Sequence, residues 1–448
     1  MATAFRLPQW HVMCPMVGMQ LFRIVMGGIC LWASALVSIG AQDVAALPLS
    51  TEFPELLRGR EGGTVHDVAG WKSFRRAEIR ELVERYMYGI RPAARPVRGV
   101  VIREDAGALG GKAILREVAV EMGLERPVHV MVVLPKSVSG KVPAFLGINF
   151  SGNYALVDDP KVALPEGWVY DRYTKGTTGR ASEEARGSQR EAWSIERTVE
   201  RGYAVVTFYN GDVVPDRADL AEPVLARLGG WTGERSMEGT GTLMAWAWAF
   251  SRVMDYLETV PEIDAARVAT VGHSRNGKTA LLAAAMDERF AMAIPSQSGQ
   301  GGVGPIRVAA DLAKISEKGR PKAETVAVIT KSFPHWFAKR FSSFAGEPER
   351  VPFDQHALVA LCAPRPVLVS NAVEDVWANP AGQWEVLKAA GGVYALFGVE
   401  GLPKGPEPEV GKLFAGRLGY FVRPGGHAMT GVDWAAWLDY ADIHLKRP

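Results

Sequence analysis

The stretch that decides the fold of this chain is Arg267-Val-Ala-Thr-Val-Gly-His-Ser-Arg-Asn-Gly-Lys278, in which Ser274 separates two patterns. Apolar residues before it predict a β-strand, and the Ala- and Leu-rich residues from Arg275 to Met286 predict a helix. A serine on so tight a turn needs small residues two positions before it and, usually, two positions after it. Gly272 meets the first requirement, whereas Asn276 stands at the second. The strand and helix on either side still predict a nucleophilic serine, facing helix N–H groups that suit an oxyanion, over a serine that only caps the helix.

Short apolar runs rich in β-forming residues recur along the chain and alternate with stretches of helical spacing. The predicted strands are Val142–Phe150, Tyr203–Tyr209, Pro366–Ser370 and Leu418–Val422, and the predicted helices are Gly239–Val260 and Trp434–Leu445. Polar residues 158–190 predict a long surface loop. Such alternation is typical of a mostly parallel sheet with helices on both faces. With a nucleophilic serine after one of its strands, the sequence predicts an α/β-hydrolase fold, a three-layer sandwich.

A serine on this turn needs a base and an acid later in the chain, in the order Ser, Asp or Glu, His. His427 is the best candidate base, because it follows the last strand in the flexible stretch Arg-Pro-Gly-Gly-His. Glu374 and Asp375 both lie just after a predicted strand, so either could orient the imidazole. The other histidines fit less well. We expect buried, hydrogen-bonded roles for His335 and His356 and a solvated His444, and His273 is too close to Ser274 along the turn.

The charge and cysteine content of the chain limit which molecules it can bind and whether it can form a disulfide. The 448 residues carry a formal net charge of +2 with no long run of one sign, so we expect no nucleic-acid binding, which needs a concentrated basic face. Cys14 and Cys30 fall in the first 41 residues, and Cys362 is the one cysteine after them. If that first segment is removed, no intrachain disulfide is possible. We expect a monomer.

The first 41 residues predict a signal peptide. Arg6 and Arg23 precede an uncharged run from Ile24 to Ala41 that ends in small residues. The alternative is a single membrane anchor, although the run barely reaches spanning length. We therefore expect a secreted or periplasmic protein without a membrane span after signal removal. Residues 42–98 are predicted to be an N-terminal extension packed on a catalytic domain of residues 99–448.

At these residues the sequence resembles the glucuronoyl esterases, carbohydrate esterase family 15, whose bacterial members share the turn G-H-S-R-x-G-K. Further similar segments, in the expected order, are Phe145-Leu-Gly-Ile-Asn-Phe-Ser-Gly-Asn, Arg186-Gly-Ser-Gln, Phe333-Pro-His-Trp-Phe, Asp354-Gln-His, Ala363-Pro-Arg-Pro and Glu374-Asp-Val-Trp-Ala-Asn-Pro. The resemblance implies hydrolysis of the ester between (4-O-methyl-)glucuronic acid of xylan and lignin alcohols. Glucuronoxylan and lignin–carbohydrate esters would be the substrates, with no cofactor and no metal.

The resemblance also implies roles for individual residues. Arg275 corresponds to an arginine that stabilises the oxyanion, which its fixed charge suits in a dry site. Lys278, one helical turn after Ser274, corresponds to a lysine that binds hydroxyls of the uronate ring. Glu324 and Trp377 correspond to the glutamate and the tryptophan of the sugar pocket.

The chain departs from the family pattern at two places. Some members carry the triad acid in a Ser-Glu-Ser-Gly segment, which here reads Ser-Gln297-Ser-Gly. Since an amide cannot act as a carboxylate, the acid is expected on the later strand, where Asp375 matches the family better than Glu374. Residues 302–324 are also about a dozen longer than in relatives, which affects the placement of Glu324 and Arg307.

Two other functions remain open from the sequence. One is an acetyl-xylan or other carbohydrate esterase on the same fold, against which Lys278 and Trp377 argue because a small acyl site needs no ring-hydroxyl donors. The other is a non-catalytic glycan-binding protein with a hydrolase fold, against which the intact set Ser274, His427 and Asp375 argues.

Overall fold

The computed structural model describes residues 44–230, 233–315, 319, 321–402 and 408–446. These residues belong to one compact unit, Gln42–Pro448. The predicted signal peptide, residues 1–41, lies outside the described residues. Within the described part of the chain, no helix combines the length and apolar character needed to cross a membrane.

A ten-stranded sheet forms the centre of this unit, in the order β1-β2-β3-β5-β4-β6-β7-β8-β10-β9. The strands are β1 Arg98–Ala108, β2 Ala113–Glu121, β3 Val128–Pro135, β4 Val142–Asn149, β5 Ala204–Tyr209, β6 Ile263–His273, β7 Met292–Ser296, β8 Val367–Ala372, β9 Phe414–Ala415 and β10 Leu418–Arg423. The six strands from β5 to β10 in this order pair in parallel, whereas β1, β2, β3 and β9 pair antiparallel at the two edges. The mostly parallel sheet predicted from the sequence is confirmed.

Helices cover both faces of the sheet. They are α1 Val68–Gly70, α2 Arg76–Val83, α3 Arg190–Trp193, α4 Ile195–Glu200, α5 Ala218–Gly229, α6 Thr242–Leu257, α7 Arg275–Met286, α8 Ala310–Ala313, α9 Val326–Ser332, α10 His356–Leu361, α11 Pro380–Leu396 and α12 Gly431–His444. All eight residues of β4 are buried, because a parallel strand covered on both sides has no solvent face. Neighbouring residues Phe145 and Leu146 belong to different apolar clusters, one on each face of the sheet. The three-layer α/β-hydrolase fold is therefore confirmed.

Residues 44–97 precede the sheet and pack on the rest of the unit. Their helical part runs from Val68 to Tyr88 and includes two π-helical turns. Side chains from the later part of the chain bind several of their backbone carbonyls. Arg307 Nε donates to Ser50 O at 2.8 Å, Arg350 Nη1 donates to Leu47 O at 2.6 Å, and His356 Nε2 lies 2.8 Å from Pro54 O. Arg307, whose place was open from the sequence, thus anchors this N-terminal segment.

Candidate active site

Ser274 lies on a strained turn between β6 and α7, with φ 59° and ψ −129°. Gly272 is required there, because a Cβ at that position would lie 2.1 Å from Asn276 O. The second close approach falls at Gly277, where a Cβ would lie 2.8 Å from Ser296 O. Asn276 itself is tolerated since its side chain leaves the turn, and its Nδ2 donates to Ile148 O at 3.0 Å. The departure from G-x-S-x-G therefore preserves the sharp turn that exposes a serine side chain.

His427 and Asp375 are brought together from the loops after β10 and β8. His427 Nδ1 lies 2.6 Å from Asp375 Oδ2, and the Asp375 side chain is 3% exposed. Glu374 is exposed, and its N–H donates to Gly425 O. Between the two carboxylates that the sequence left open, the geometry favours Asp375. A cavity of about 280 Å³ is lined by Ser274, Arg275 and His427 together.

Arg275 is buried and held by a carboxylate that the sequence analysis missed. Its Nη1 donates to Asp216 Oδ2 at 2.5 Å, while Asp216 Oδ1 accepts from Trp336 Nε1 at 2.7 Å and lies 3.0 Å from His335 Nε2. Burial would raise the pKa of Asp216, but the charge of Arg275 and the hydrogen bonds from His335 and Trp336 outweigh it and hold that pKa below its ordinary value. Asp216 is therefore a carboxylate ion, and it fixes the guanidinium beside Ser274.

Aromatic rings complete the surroundings of Arg275. Its guanidinium carbon lies 4.7 Å from the ring centroid of Trp336, 5.2 Å from that of Phe333 and 5.4 Å from that of Tyr170. Stacked rings and a carboxylate together restrict a planar guanidinium to one orientation. Among the described residues no hydrogen-bond partner meets the buried Nε–H of Arg275, so this donor remains for another acceptor.

Lys278 and Glu324 form a buried ion pair outside the lining of the Ser274 cavity. The ammonium Nζ donates to Ser298 O at 2.7 Å, to Gln300 O at 2.6 Å and to Glu324 Oε2 at 2.9 Å. Burial lowers the pKa of Lys278, and the neighbouring Glu324 charge opposes that shift only in part. Because an ammonium has three donors, all of those of Lys278 are engaged within the chain.

Trp377 joins this group through its backbone, since Glu324 N donates to Trp377 O at 3.0 Å. The Trp377 side chain is half-buried. Gln300, which the sequence analysis did not single out, is 2% exposed, and neither polar atom of its side chain has a hydrogen-bond partner within the described part of the chain. The structure thus brings Lys278, Glu324 and Trp377 together, beside an amide with unused hydrogen-bonding capacity.

Comparisons with known proteins agree with this geometry. A sequence profile for fungal glucuronyl esterases matches residues 191–398. Carbohydrate esterase MZ0003, from an unknown prokaryotic organism, is 38% identical over 408 residues, which are 90% of this chain and 91% of that protein. The chain belongs to carbohydrate esterase family 15.

Two solved structures of this family support the same assignment. A promiscuous family 15 esterase from a marine bacterial metagenome has a TM-score of 0.79 and 37% identity, over 90% of this chain and 99% of that one. The glucuronoyl esterase from Solibacter usitatus also has a TM-score of 0.79, with 31% identity over 90% of this chain and 100% of that one. Family 15 membership makes the chain a carboxylic ester hydrolase, as the sequence predicted, and leaves the non-catalytic alternative without support.

The remaining histidines of this family 15 esterase are placed largely as expected. His335 is buried against Asp216 and His356 against Pro54. His444, expected in solvent, is instead half-buried with its Nε2 3.3 Å from Ala415 O. The ring of His273 lies 4.5 Å from that of His427. Burial, and then the charges of His427, Arg423 and Arg275, hold the pKa of His273 well below its usual range, so His273 is a neutral neighbour of His427.

The predicted surface loop of residues 158–190 contributes more to the esterase site than its polar sequence indicated. Arg172, Tyr173 and Gln189 line the Ser274 cavity, and the Tyr170 hydroxyl accepts from Arg275 Nη1 at 3.2 Å. Tyr173 stacks on Phe150 with ring centroids 5.5 Å apart. None of the described residues between 302 and 324 lines this cavity. The loop before α3, rather than the longer segment before Glu324, shapes the entrance to Ser274.

Proposed function

We propose that this family 15 esterase hydrolyses esters of (4-O-methyl-)glucuronic acid through a serine mechanism, with Ser274 as nucleophile, His427 as base, Asp375 as orienting acid and Arg275 as oxyanion stabiliser. The observation that carries the mechanism is the strained Ser274 in one cavity with an imidazole whose Nδ1 lies 2.6 Å from a buried carboxylate. A positive φ at a non-glycine residue has a free-energy cost that persists where function requires it.

In this mechanism His427 accepts the proton of the Ser274 hydroxyl as its oxygen attacks the ester carbonyl. Arg275 stabilises the resulting oxyanion. When the tetrahedral intermediate collapses, the alcohol leaves with the proton from His427, and the uronoyl group stays bound to Ser274. His427 then deprotonates a water that attacks the acyl-enzyme, which releases the uronic acid and returns the proton to Ser274. Asp375 holds the imidazole in the required tautomer throughout.

Support for a glucuronoyl substrate comes from the relatives and from residues near Ser274. The matching family profile and the solved Solibacter usitatus protein are named for glucuronoyl ester hydrolysis. Lys278, Glu324 and Trp377 are the proposed substrate-binding residues, and the unpartnered amide of Gln300 adds a donor and an acceptor beside them. Phe150 and Tyr173 give the cavity an aromatic wall, which suits the aromatic alcohols of lignin–carbohydrate esters in glucuronoxylan as leaving groups.

The test of the substrate class compares benzyl glucuronate with p-nitrophenyl acetate. We expect a much higher kcat/KM for the glucuronate, because its ring stays bound through both acylation and deacylation and holds the carbonyl against Ser274. Lys278→Ala should reduce the ratio of kcat/KM for benzyl glucuronate to that for p-nitrophenyl acetate, because it weakens turnover of the glucuronate. The control Lys388→Ala, which removes an exposed lysine of α11, should leave both activities unchanged. A wild-type preference for acetate would overturn the glucuronoyl proposal.

A second candidate is a carbohydrate esterase of broader specificity, including acetyl-xylan. It is favoured by the description of one solved relative as promiscuous and by the full engagement of the Lys278 donors within the chain. In that case acetylated xylose and benzyl glucuronate should be hydrolysed with similar kcat/KM.

We also propose that residues 1–41 are a signal peptide, that residues 42–98 extend a catalytic domain of residues 99–448, and that the mature enzyme is a secreted or periplasmic monomer. The basic and apolar order of the first segment supports export, and a polymeric glucuronoxylan substrate is met outside the cytoplasm. Amino-terminal sequencing of the exported protein should find a start close to Gln42. A mature protein that keeps its first residues would overturn the signal peptide.

A further inference from the structure

The loop that carries His427 has little stiffness of its own. It connects β10 to α12 through residues 424–430 and begins with Pro424-Gly-Gly-His-Ala428. Gly425 has φ 92°, and a Cβ at Gly426 would meet no atom within 4 Å. Since glycines leave the backbone conformationally free, contacts from outside the loop must fix the position of His427.

One such contact is a buried glutamine that binds both polar groups of the next residue. Gln297 Nε2 donates to Ala428 O at 2.7 Å, and Ala428 N donates to Gln297 Oε1 at 3.1 Å. Gln297 is 1% exposed. A primary amide has a donor and an acceptor in one plane, whereas an ionised carboxylate only accepts. The glutamine that stands where some family members have an acid can therefore do something that the acid cannot.

Gln297 is itself tied to the strand end that supports the nucleophile. It directly follows β7, with φ 45°, and its N–H donates to Ser370 O at 2.7 Å. The preceding residue, Ser296, accepts from Ser274 N at 2.9 Å. Two consecutive residues at the end of β7 thus hold the nucleophile turn and the loop of the base.

Arg423 holds the same loop from the β10 side. Its Nη2 donates to Ala428 O at 2.6 Å and to Gly426 O at 3.2 Å, and its Nε donates to the buried Asp433 at 2.8 Å. Ala428 O therefore accepts from both sides, while Ala428 N–H is bound by Gln297. The glutamine is the contact that joins the loop to the strand behind Ser274.

We propose that Gln297 is a positioning residue, which fixes His427 relative to Ser274 by binding the Ala428 peptide groups from the end of β7. The inference rests on the proposed serine mechanism. A displacement of about 1 Å at a catalytic group can lower the rate about 10²-fold without touching substrate binding. The amide therefore acts on kcat through the placement of the base.

The decisive variant is Gln297→Met, which keeps the length of the side chain and removes both hydrogen bonds. We expect kcat for benzyl glucuronate to fall roughly 10- to 100-fold with KM within about twofold. The low-field proton resonance of His427 Nδ1–H should broaden or shift. Gln355→Met is the matched control, because Gln355 is a fully buried glutamine whose side chain bonds Tyr88 and Met87 instead. It should keep the wild-type kcat and resonance.

Gln297→Glu removes only the Nε2–H donor that binds Ala428 O. It also serves as the test if the methionine variant does not fold. It should also lower kcat, and the double variant Gln297→Glu with Asp375→Ala should have no higher kcat than Asp375→Ala alone. A wild-type kcat in folded Gln297→Met would overturn the inference. A kcat in the double variant well above that of Asp375→Ala would also overturn it, because the carboxylate at position 297 would then act as the triad acid. A failure of the proposed serine mechanism would be detected separately, as full activity in Ser274→Ala. The His427 Nδ1–H resonance of the Gln297 variants would still report the position of His427 in that case.

Discussion

Arg275 and Asp216 form a buried ion pair beside the proposed nucleophile. Guanidinium and carboxylate are both nearly inaccessible to water, with side chains 10% and 3% exposed. Because the pKa of Asp216 is lowered in the folded protein, the ion pair is complete above the ordinary carboxyl pKa and is lost only as the pH falls through the lowered value. A preorganised charge of this kind needs no rearrangement when an oxyanion develops.

Asp216→Asn should lower kcat roughly tenfold, less than the about 10²- to 10³-fold loss that follows deletion of an oxyanion donor such as Arg275. Asparagine can still accept from Trp336, but it leaves the guanidinium without its counter-charge. Steady-state kinetics on one ester would measure both variants. Asp219→Asn, which alters an exposed pair with Arg217, is the control and should leave kcat unchanged. An Asp216→Asn enzyme with wild-type kcat would contradict the role of Asp216.

Asp375→Ala should reduce kcat by about 10³- to 10⁴-fold, because the neutral imidazole then loses the carboxylate that fixes its tautomer. Glu374→Ala should change kcat less than twofold, since Glu374 is exposed and contacts the base loop through its backbone. Rates for both variants, with thermal midpoints to establish folding, decide between the two carboxylates. The reverse ranking would transfer the role to Glu374.

Among secondary-structure elements, the ends of β6, β7, β8 and β10 assemble the site. β6 leads into Ser274, β7 supplies the support behind it, β8 leads to Asp375 and β10 to His427. Neighbouring parallel strands end at the same edge of a sheet, so residues distant in sequence meet there. The two close backbone approaches at Gly272 and Gly277 make this junction intolerant of added atoms.

Gly277→Ala should destabilise the protein by about 1 to 3 kcal/mol, because the new Cβ would lie 2.8 Å from Ser296 O and 2.9 Å from Gly272 O. Gly391→Ala in α11 is the matched control, since a Cβ there meets no atom within 4 Å. That change should stabilise the protein by about 0.5 to 1 kcal/mol through helix propensity. Denaturant unfolding of the two variants measures the difference. Equal denaturation midpoints for the two variants would contradict this expectation, because the backbone around Gly277 would then accept the added Cβ without a loss of stability.

The sequence predicted the elements with strong local patterns. The helix after Ser274 was predicted as Arg275 to Met286 and is found at those bounds, because its run of Ala and Leu is fully apolar. The antiparallel strands β1 to β3 were not predicted. β1 is largely exposed and mixes charged with apolar residues, whereas β3 is a buried apolar run whose pattern was overlooked. Ser274 and His427 were predicted from chain order and position after strands, and Asp375 was preferred to Glu374 because of the resemblance. Asp216 was not found, although it too follows a strand, β5, within seven residues.

Contacts made by the backbone were beyond the reach of sequence reasoning. The resemblance implied that Lys278 binds sugar hydroxyls, but nothing in the residue types indicates that Ser298 O and Gln300 O converge on its ammonium. The loop of residues 158–190 was predicted from its polarity, which gives no sign that Tyr170 and Tyr173 turn inward. Such features depend on how distant segments pack, a property that local periodicity does not record.

At the scale of the whole molecule, the N-terminal segment is fastened to the hydrolase core by Arg307. The guanidinium donates to the carbonyls of Ser50, Glu349, Val351 and Phe353 and pairs with the fully buried Asp354. Four carbonyls and one carboxylate thus converge on a single side chain. Removing it would leave Asp354 in the interior without its counter-charge and would remove one of the contacts that hold the segment.

Arg307→Ala should lower the free energy of unfolding by about 3 kcal/mol or more, since Asp354 is left buried without its counter-charge. Arg350→Ala is the comparison, because Arg350 also binds the N-terminal segment, through Leu47 O, but is partly exposed. It should cause a clearly smaller loss of stability, because an exposed ion pair contributes little. Thermal and denaturant midpoints measure both. A similar loss in the two variants would contradict the central position of Arg307.

Every residue of α7, from Arg275 to Met286, is buried. We expect its hydrogen-bonded amides to be among the slowest in the protein to exchange with solvent. Since Ser274 begins this helix, a molecule that has lost the helix has also lost the turn that carries Ser274. During heating, the remaining rate of ester hydrolysis should therefore be proportional to the fraction of folded molecules, so that enzyme activity reports cooperative unfolding.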